Sequence, residues 1–175
     1  MDLISILLQH HSKAHTFKVV ELIENDESSC EALIQIVLAD HEIAAARAAW
    51  VMNEVVRKVP SKFLPYQKPI VALLSRPEIH ASVLRNILCI WERTPVPEEF
   101  QGVMVERCIS FIENPTLGSG IKSYAIAILE PICIQYPELG IEVERLLKAR
   151  FEFEKPAFKS RATHFFKRMN KLTRS

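Results

Sequence analysis

The chain has 175 residues, of which 49% are hydrophobic and 25% charged, with only four glycines, a composition that excludes a disordered tail or a collagen-like fibre. Its 22 basic and 21 acidic side chains give a net charge of +1, and no apolar run approaches the roughly 20 residues needed to cross a bilayer. We therefore expect one soluble domain over residues 1–175, located in the cytoplasm and without a membrane partner.

Two short helices are the first predicted elements, at Leu3 to Gln9 and Lys13 to Glu24. Their apolar pattern differs from that of the rest of the chain, so we assign residues 1–27 to an atypical N-terminal cap, as end units of repeat arrays normally differ. His11 and His15 have the four-residue spacing of two metal ligands on one helix. No third ligand follows at a helpful spacing, and we predict no metal site.

Four pairs of predicted helices follow, in repeat units over 28–60, 61–95, 96–137 and 138–175. In the first unit, Ser28 or Ser29 can cap one helix, and Asp40 can cap a second helix that runs to about Lys58. The later pairs are predicted at about 64–75 with 81–93, 98–113 with 121–136, and 141–153 with 158–172. No segment has the pattern of a strand.

The second helix of the first unit is apolar round most of its circumference, so it must be covered on several sides. A single hairpin cannot bury such a helix without neighbours, which predicts a stack of hairpins. Proline lacks a backbone donor and crowds the preceding turn. We therefore expect Pro65 and Pro69 to bend the start of one helix, and Pro131 to kink another near Glu130.

An offset of 38 residues brings the units into register. Near the start of the second helices, one column contains Arg47, Arg85, Ser123 and Arg161. Seven residues later, the column contains Glu54, Glu92, Glu130 and Arg168. The first helices contribute an apolar column, and the turns between the helices contribute a mostly acidic one: Leu33, Val71, Ile109 and Leu147; Asp40, Glu78, Thr116 and Glu154.

In the first unit an acidic turn, Ala39-Asp40-His41-Glu42, precedes a helix that opens with a basic residue and alanines, Ala46-Arg47-Ala48-Ala49-Trp50. This pattern resembles the HEAT and armadillo superfamily, and the resemblance covers residues 28–172. It implies an all-α fold, a right-handed α-α superhelix built as a short solenoid of about four to five antiparallel helical hairpins. It also implies that Asp40 and Arg47 support stacking between units.

In such a stack the second helices line the concave wall, so their polar residues are candidates for binding a partner. The predicted partner-binding concave surface has mixed charge and consists of Arg47, Glu54, Arg85, Trp91 and Glu92. Trp91 is the candidate anchor, although burial explains it equally well, and Trp50 is assigned to the core. For the charged columns, a structural ladder of ion pairs is the favoured alternative.

Charge is unevenly distributed along the chain. Residues 1–144 carry 12 basic and 19 acidic side chains, net −7, whereas residues 145–175 carry 10 and 2, net +8. Clustered cations attract polyanions, and a solvated last helix is the alternative explanation. The candidate polyanion-binding residues are Lys159, Arg161, Lys167, Arg168, Lys171 and Arg174.

Recognisable catalytic motifs are absent from the sequence. The segment Gly118-Ser119-Gly120-Ile121-Lys122-Ser123 departs from the phosphate-binding G-x-x-x-x-G-K-[ST] loop, because Ile121 interrupts the Gly-Lys step, and predicts an inter-helix turn. The four cysteines include no C-x-x-C pair and predict buried free thiols: Cys30, Cys89, Cys108 and Cys133. We predict no catalytic residue and no cofactor.

Two functions are consistent with these patterns. The first is a non-enzymatic HEAT-like scaffold that binds a protein or peptide on its concave surface. The alternative is a nucleic-acid-binding HEAT-like protein related to the glycosylases of alkylated DNA, using the basic C-terminal region. Glu54, Glu92 and Glu130 argue against the alternative, because they would repel phosphates. The sequence specifies neither the partner nor the oligomeric state.

Overall fold

The computed structural model describes residues 2–39 and 42–172, and these fold into ten α-helices with two short 3-10 segments, at Pro60–Tyr66 and Phe151–Phe153. The α-helices, in chain order, are α1 (Leu3–Gln9), α2 (Lys13–Glu24), α3 (Glu27–Leu38), α4 (Glu42–Lys58), α5 (Gln67–Leu74), α6 (Ala81–Arg93), α7 (Glu98–Glu113), α8 (Ser119–Gln135), α9 (Pro137–Arg150) and α10 (Pro156–Leu172). Strands are absent from the described residues, which confirms the predicted all-α fold. None of the described helices is long and apolar enough to span a membrane.

Helix boundaries follow the prolines of the chain. The N-terminal pair, α1 and α2, has the predicted bounds, but α9 and α10 begin earlier than predicted, at Pro137 and Pro156. Proline suits the first helical position, because its φ angle is already helical and its missing N–H would have no partner there. Pro65 lies in the 3-10 segment, so the helix predicted at 64–75 shortens to α5.

The glycine-containing segment before α8 is mostly helical. Gly118 is the N-cap residue, and Ser119 and Gly120 belong to the first turn of α8. The Gly118 carbonyl accepts hydrogen bonds from the amides of Ile121 and Lys122, at 3.1 and 3.3 Å. The prediction of an inter-helix turn is therefore wrong for Ser119 and Gly120, because these backbone bonds start the helix before Ile121.

The cap of α3 is Asp26 and not the predicted Ser28 or Ser29. Its carboxylate accepts hydrogen bonds from the amides of both serines, at 3.1 and 3.2 Å, and from both hydroxyls. These bonds, led by that of the Ser29 side chain, lower the pKa of Asp26 below its usual 3.8. A carboxylate is the stronger acceptor at a helix N-terminus, since the bond is charge-assisted. Asp40, the other predicted cap, lies outside the described residues.

Two compact units make up the chain, one ending at Thr94 and one beginning at Pro95. In the first unit, α4 is the central helix and packs against α2, α3 and α6. The side chains that α4 buries are Ala44, Ala45, Ala48, Ala49, Val51, Met52, Val55 and Val56. This is the covering on several sides that the apolar sequence of α4 requires. A single domain over residues 1–175 stays a prediction.

In the second unit α8 is the central helix, and it packs against α7, α9 and α10. Its buried apolar residues are Ile121, Ala125, Ile126, Ile128, Leu129, Ile132 and Cys133. At Gly140, α9 approaches its neighbours so closely that an added Cβ would lie 3.0 Å from the sulfur of Met169 and 3.5 Å from the Cβ of Cys133. Each unit is thus built round one second helix.

Arginine side chains join successive helix pairs of the first unit. Arg47 Nη1 on α4 donates a hydrogen bond to the carbonyl of Leu7 in α1, at 2.8 Å. Arg76 Nη1 donates to the carbonyl of Leu38, the last residue of α3, at 2.9 Å. Carbonyl groups at the C-terminal end of a helix have no partner within that helix, so these bonds satisfy them.

A buried ion pair joins two hairpins of the second unit. Lys122 Nζ on α8 lies 2.5 Å from Glu154 Oε1, and the two side chains are only 3% and 9% exposed. Arg150 adds a second cation, with Nε and Nη2 donating to the same oxygen at 3.2 and 3.1 Å. Glu154 belongs to the acidic turn column of the 38-residue repeat, and it contacts a cation of the preceding hairpin.

The four cysteines are free thiols, and three of them are buried as predicted, whereas Cys89 is half-buried. Burial raises the pKa of Cys108 and Cys133 to about 12. Burial also raises the pKa of Cys30. Because the thiolate is the reactive form, these three thiols should be inert in the folded protein.

Loss of one member of the buried ion pair should destabilise the second unit. We expect Lys122→Met to lower the free energy of unfolding by about 3 kcal/mol, because Glu154 keeps only Arg150 as a partner. Urea titration of the full chain measures this change. The double variant Lys122→Met/Glu154→Leu should recover to within about 1 kcal/mol of the parent, since no buried carboxylate is left. A double variant no more stable than Lys122→Met would contradict this explanation.

Alkylation should separate the four cysteines. With iodoacetamide at mildly alkaline pH, we expect the half-buried Cys89 to be modified first in the folded protein. Cys30, Cys108 and Cys133 should react only after concentrated guanidinium chloride has unfolded the chain, because burial suppresses their thiolate forms. Peptide mass spectrometry identifies each modified site. Labelling of Cys108 as rapid as that of Cys89 in the folded state is the contrary result.

Candidate functional site

Two of the predicted partner-binding residues lie on one stripe of α4. Arg47 and Glu54 are seven residues apart, which places them within about 20° of each other round the helix. They do not bind each other. The Arg47 guanidinium bonds to the Leu7 carbonyl and, at 3.5 Å, to that of His10, whereas the Glu54 carboxylate accepts a 2.9 Å bond from Arg57 Nε.

Trp50 lies on the same stripe, so its assignment to the core is wrong. It follows Arg47 by three residues and precedes Glu54 by four, which places it within about 60° of both. Its ring is partly exposed and meets the edge of the His11 ring, with centroids 6.1 Å apart. Ile43, seven residues earlier, is 58% exposed. In the sequence, the three-residue spacing from Arg47 to Trp50 and the four-residue spacing from Trp50 to Glu54 indicate that Trp50 shares a helix face with these two charged residues.

Trp91, by contrast, is a core residue of the first unit. It is 2% exposed, and its ring packs edge-on against Phe63 with centroids 4.9 Å apart and an interplanar angle of 78°. Trp91 lies six residues after Arg85, hence about 120° away from it round α6. Its predicted place on the partner-binding surface is therefore wrong. Its indole nitrogen has no hydrogen-bond partner within the part of the chain that the structure describes.

The remaining predicted residues, Arg85 and Glu92, lie on the solvent side of α6, exposed and partly exposed respectively. Asn53 on α4 joins the two helices: its Nδ2 donates to Asn86 Oδ1 at 3.1 Å, and Arg93 Nη2 donates to its Oδ1. These bonds hold α4 and α6 side by side with their outward stripes adjacent. We call these stripes the α4–α6 surface; it comprises Ile43, Arg47, Trp50, Glu54, Arg57, Arg85, Glu92 and Arg93.

The predicted polyanion-binding residues lie on two sides of α10. Lys159 packs beside Phe151, with Nζ 5.6 Å from the ring centroid, and donates to the carbonyl of Glu152 at 3.3 Å. On the other side of the helix, an arc of about 120° contains Arg161, Lys167, Arg168 and Lys171. Arg174 lies outside the described residues.

Glu130 on α8 binds part of this basic arc. Its Oε2 lies 2.9 Å from His164 Nδ1, and its Oε1 lies 3.4 Å from Arg168 Nε. Glu130 and Arg168 belong to the same column of the 38-residue repeat, so here the column joins two neighbouring second helices. The Glu130–Arg168 pair is partly exposed and contributes little stability. The Glu130 carboxylate nevertheless compensates positive charge that a polyanion would otherwise contact.

A groove of about 450 Å³ lies between α8 and α10 next to this ion pair. The groove is lined by Gly120, Ser123 and Tyr124 of α8 and by Ala157, Ser160, Arg161 and His164 of α10. The polar groups among these residues are three hydroxyls, a guanidinium and an imidazole, and none of the lining residues is acidic. Sequence reasoning singled out Arg161 but missed the groove, because its two walls are more than thirty residues apart in the chain.

The two spaced histidines have contacts within the N-terminal part of the chain. His15 Nε2 lies 2.8 Å from the carbonyl of Ile6, and His11 packs against Trp50. Within residues 2–39 and 42–172, no group of three or more His, Cys, Asp or Glu side chains is placed to hold a metal ion. The His11 and His15 rings therefore link α1, α2 and α4 through packing and hydrogen bonding.

Most of the chain resembles a known protein family. A family model described as a HEAT repeat domain matches residues 4–169. The match reaches from α1 to α10 and includes most of both compact units. No curated protein matches the chain. The family match agrees with the helical pairs described above and with the sequence resemblance.

Fluorescence quenching should distinguish the two tryptophans. The chain contains only Trp50 and Trp91, so Trp50→Phe leaves the buried ring as sole emitter and Trp91→Phe leaves the partly exposed one. We expect the Stern–Volmer constant for acrylamide to be about threefold lower in Trp50→Phe, because Trp91 is shielded from water. Both variants should be quenched equally in denaturant. Equal quenching in the folded state would show that the two placements are incorrect.

Proposed function

Because the chain belongs to the HEAT repeat family, we propose that it is a non-enzymatic scaffold that binds a protein or peptide on the α4–α6 surface. The partner would lie across two neighbouring second helices of the first unit. The observation that carries the proposal is the position of Trp50, partly exposed on an outward stripe that also holds Arg47 and Glu54.

Trp50 and Ile43 form an apolar strip on this surface. Seven residues separate them, so they lie on the same line along α4, and Ile43 is 58% exposed. Tryptophan is enriched among the few residues that carry most of the binding energy at interfaces, where a partner covers the ring and excludes water. A single exposed isoleucine needs no explanation, but one in line with a partly exposed tryptophan gives a partner two apolar contact points about 10.5 Å apart on one helix face.

Charged side chains border the apolar strip on both sides. Arg47 lies on one side and Arg93 on the side of α6, and the Glu54–Arg57 ion pair lies one turn beyond Trp50. A charged rim round an apolar centre is the usual arrangement of a protein interface. Because the rim carries both signs of charge, it favours a partner that presents both signs, and it contributes to specificity more than to affinity.

Rigidity of the surface supports the same proposal. The Asn53–Asn86 bond of 3.1 Å joins α4 to α6, and the Lys58–Glu24 ion pair of 2.8 Å joins α4 to α2. A surface whose helices are already held in place loses little conformational entropy on binding, so more of the contact energy appears as affinity.

Affinity capture with a matched pair of variants tests this function. We expect the tagged full chain to recover a partner from a lysate of the source cell, and Ile43→Glu to reduce recovery at least about tenfold, because it places a charge in the apolar strip. Quantitative mass spectrometry measures recovery. Leu64→Glu is the control, since Leu64 is also 58% exposed but lies outside α2, α4 and α6.

The two variants should have the same helical content and melting temperature as the parent. Recovery that is the same for Ile43→Glu and Leu64→Glu would exclude the α4–α6 surface as the binding site.

A further inference from the structure

The segment made of α1 and the link to α2 lies against the α4–α6 surface. Arg47 Nη1 donates to the carbonyl of Leu7 at 2.8 Å and to that of His10 at 3.5 Å. The His11 ring packs against the Trp50 ring, with centroids 6.1 Å apart. Two residues of the proposed binding surface are therefore partly occupied by contacts within the chain itself.

We propose that residues 3–12 form a strap that regulates the α4–α6 surface. The closed strap covers part of this surface, and a partner displaces it on binding. The proposal rests on the scaffold function above, because it concerns regulation of the same surface. Opening of the strap frees the Nη1 donor of Arg47 and uncovers the part of the Trp50 ring that His11 contacts.

Few buried side chains hold α1 in place. The helix has seven residues and buries two of them, Leu3 and Leu7, whereas α2 buries four residues and α3 six. A helix of this length is unstable in water by itself, so α1 keeps its form only through its contacts with the other helices. Elements with few buried apolar contacts open locally at a lower free energy than the core does. Opening of the strap alone is thus less costly than unfolding of the first unit.

Polar contacts complete the attachment of the strap. Asp2 caps α1 by accepting a 3.3 Å bond from the Ser5 amide, and His15 Nε2 lies 2.8 Å from the Ile6 carbonyl. Water replaces such bonds when the strap opens. They therefore add less to the stability of the closed state than burial of the two leucines does.

Release of α1 also uncovers the faces of α3 and α4 against which it packs. A partner that covers these faces with its own apolar side chains recovers the burial energy that the strap gives up. The closed strap lowers the apparent affinity of the chain, because only the open fraction of molecules offers the whole surface. A chain with a weakened strap should accordingly bind its partner more tightly.

A permanent role for α1 in the first unit is the alternative explanation of the same contacts. Carbonyls at the C-terminal end of a helix need donors, and Arg47 provides one for α1 in either case. The two explanations differ in how α1 opens. A permanent part of the core opens only when α4 unfolds, whereas a strap opens alone.

Hydrogen exchange of the full chain, followed by mass spectrometry of its peptides, tests whether the strap opens alone. We expect the amides of residues 6–9 to exchange at least about a hundredfold faster than those of residues 48–56 in the middle of α4. Equal protection of the two segments would overturn the proposal, because α1 would then open only together with the unit.

Two double variants of α1 form a matched pair. Leu3 and Leu7 are 5% and 2% exposed, whereas Ile4 and Leu8 are 41% and 38% exposed on the same helix. Leu3→Ala/Leu7→Ala should speed exchange at residues 6–9 at least about a hundredfold further, because it removes the buried contacts of the strap. Ile4→Ala/Leu8→Ala should change this exchange less than about threefold.

Fluorescence of Trp50 reports the same opening at the binding surface. In the Trp91→Phe background, Leu3→Ala/Leu7→Ala should raise the Stern–Volmer constant for acrylamide about 1.5-fold, because His11 no longer shields the ring. The variant with the exposed pair replaced should keep the parent value. Equal quenching in the two double variants would contradict the strap.

A milder variant covers the case in which Leu3→Ala/Leu7→Ala does not fold. Asp2 is exposed, and Asp2→Ala removes the cap of α1 without touching the core. It should speed exchange at residues 6–9 about fivefold and leave residues 48–56 unchanged. Unchanged exchange in both segments would overturn the proposal. Far-UV circular dichroism checks the fold of each variant.

The exchange and quenching measurements need no partner, so they test the strap apart from the scaffold function. In the affinity capture described above, Leu3→Ala/Leu7→Ala should raise recovery at least about threefold over the parent. Recovery that falls or stays the same would show that α1 does not compete with the partner, and would overturn the proposal. Recovery that Ile43→Glu leaves unchanged contradicts the scaffold function alone, and exchange and quenching then decide on the strap.

Discussion

A helix that is apolar on nearly every side is stable in water only when other helices cover it, and this requirement organises both units of the molecule. α4 is covered by α2, α3 and α6, and α8 is covered by α7, α9 and α10. Ala44, Ala45, Ala48 and Ala49 let the neighbours of α4 approach closely. Once these faces are buried, the described polar residues of α4 lie on one outward stripe, whereas Lys122 of α8 is buried against Glu154. The proposed α4–α6 surface consists of such stripes.

Polar contacts between successive hairpins complete this arrangement. Arg47 and Arg76 donate to carbonyls near the ends of α1 and α3, and Lys122 pairs with Glu154 in the second unit. The acceptors differ, since the two arginines donate to backbone carbonyls and Lys122 to a carboxylate. Each contact nevertheless joins a cation of one hairpin to an acceptor of a neighbouring hairpin. The buried Lys122–Glu154 pair adds little net stability, but loss of one partner is costly.

The two units use the same architecture to present different chemistry. On the α4–α6 surface, an apolar strip lies between charges of both signs, which suits a folded protein surface or a mixed-charge peptide. Between α8 and α10, three hydroxyls, a guanidinium and an imidazole line a groove, and none of the lining residues is apolar and large.

The sequence by itself determined the helices and their order, because helix formation depends on local periodicity, caps and prolines. The bounds of α1 and α2 and the apolar column of Leu33, Val71 and Leu147 follow from such local patterns. Only the tertiary structure decided that Trp50 faces outward and Trp91 inward, that Lys159 is separated from the other cations of α10, and that a groove exists. These features depend on how each helix is rotated against neighbours thirty to forty residues away, and packing of the whole core sets that rotation.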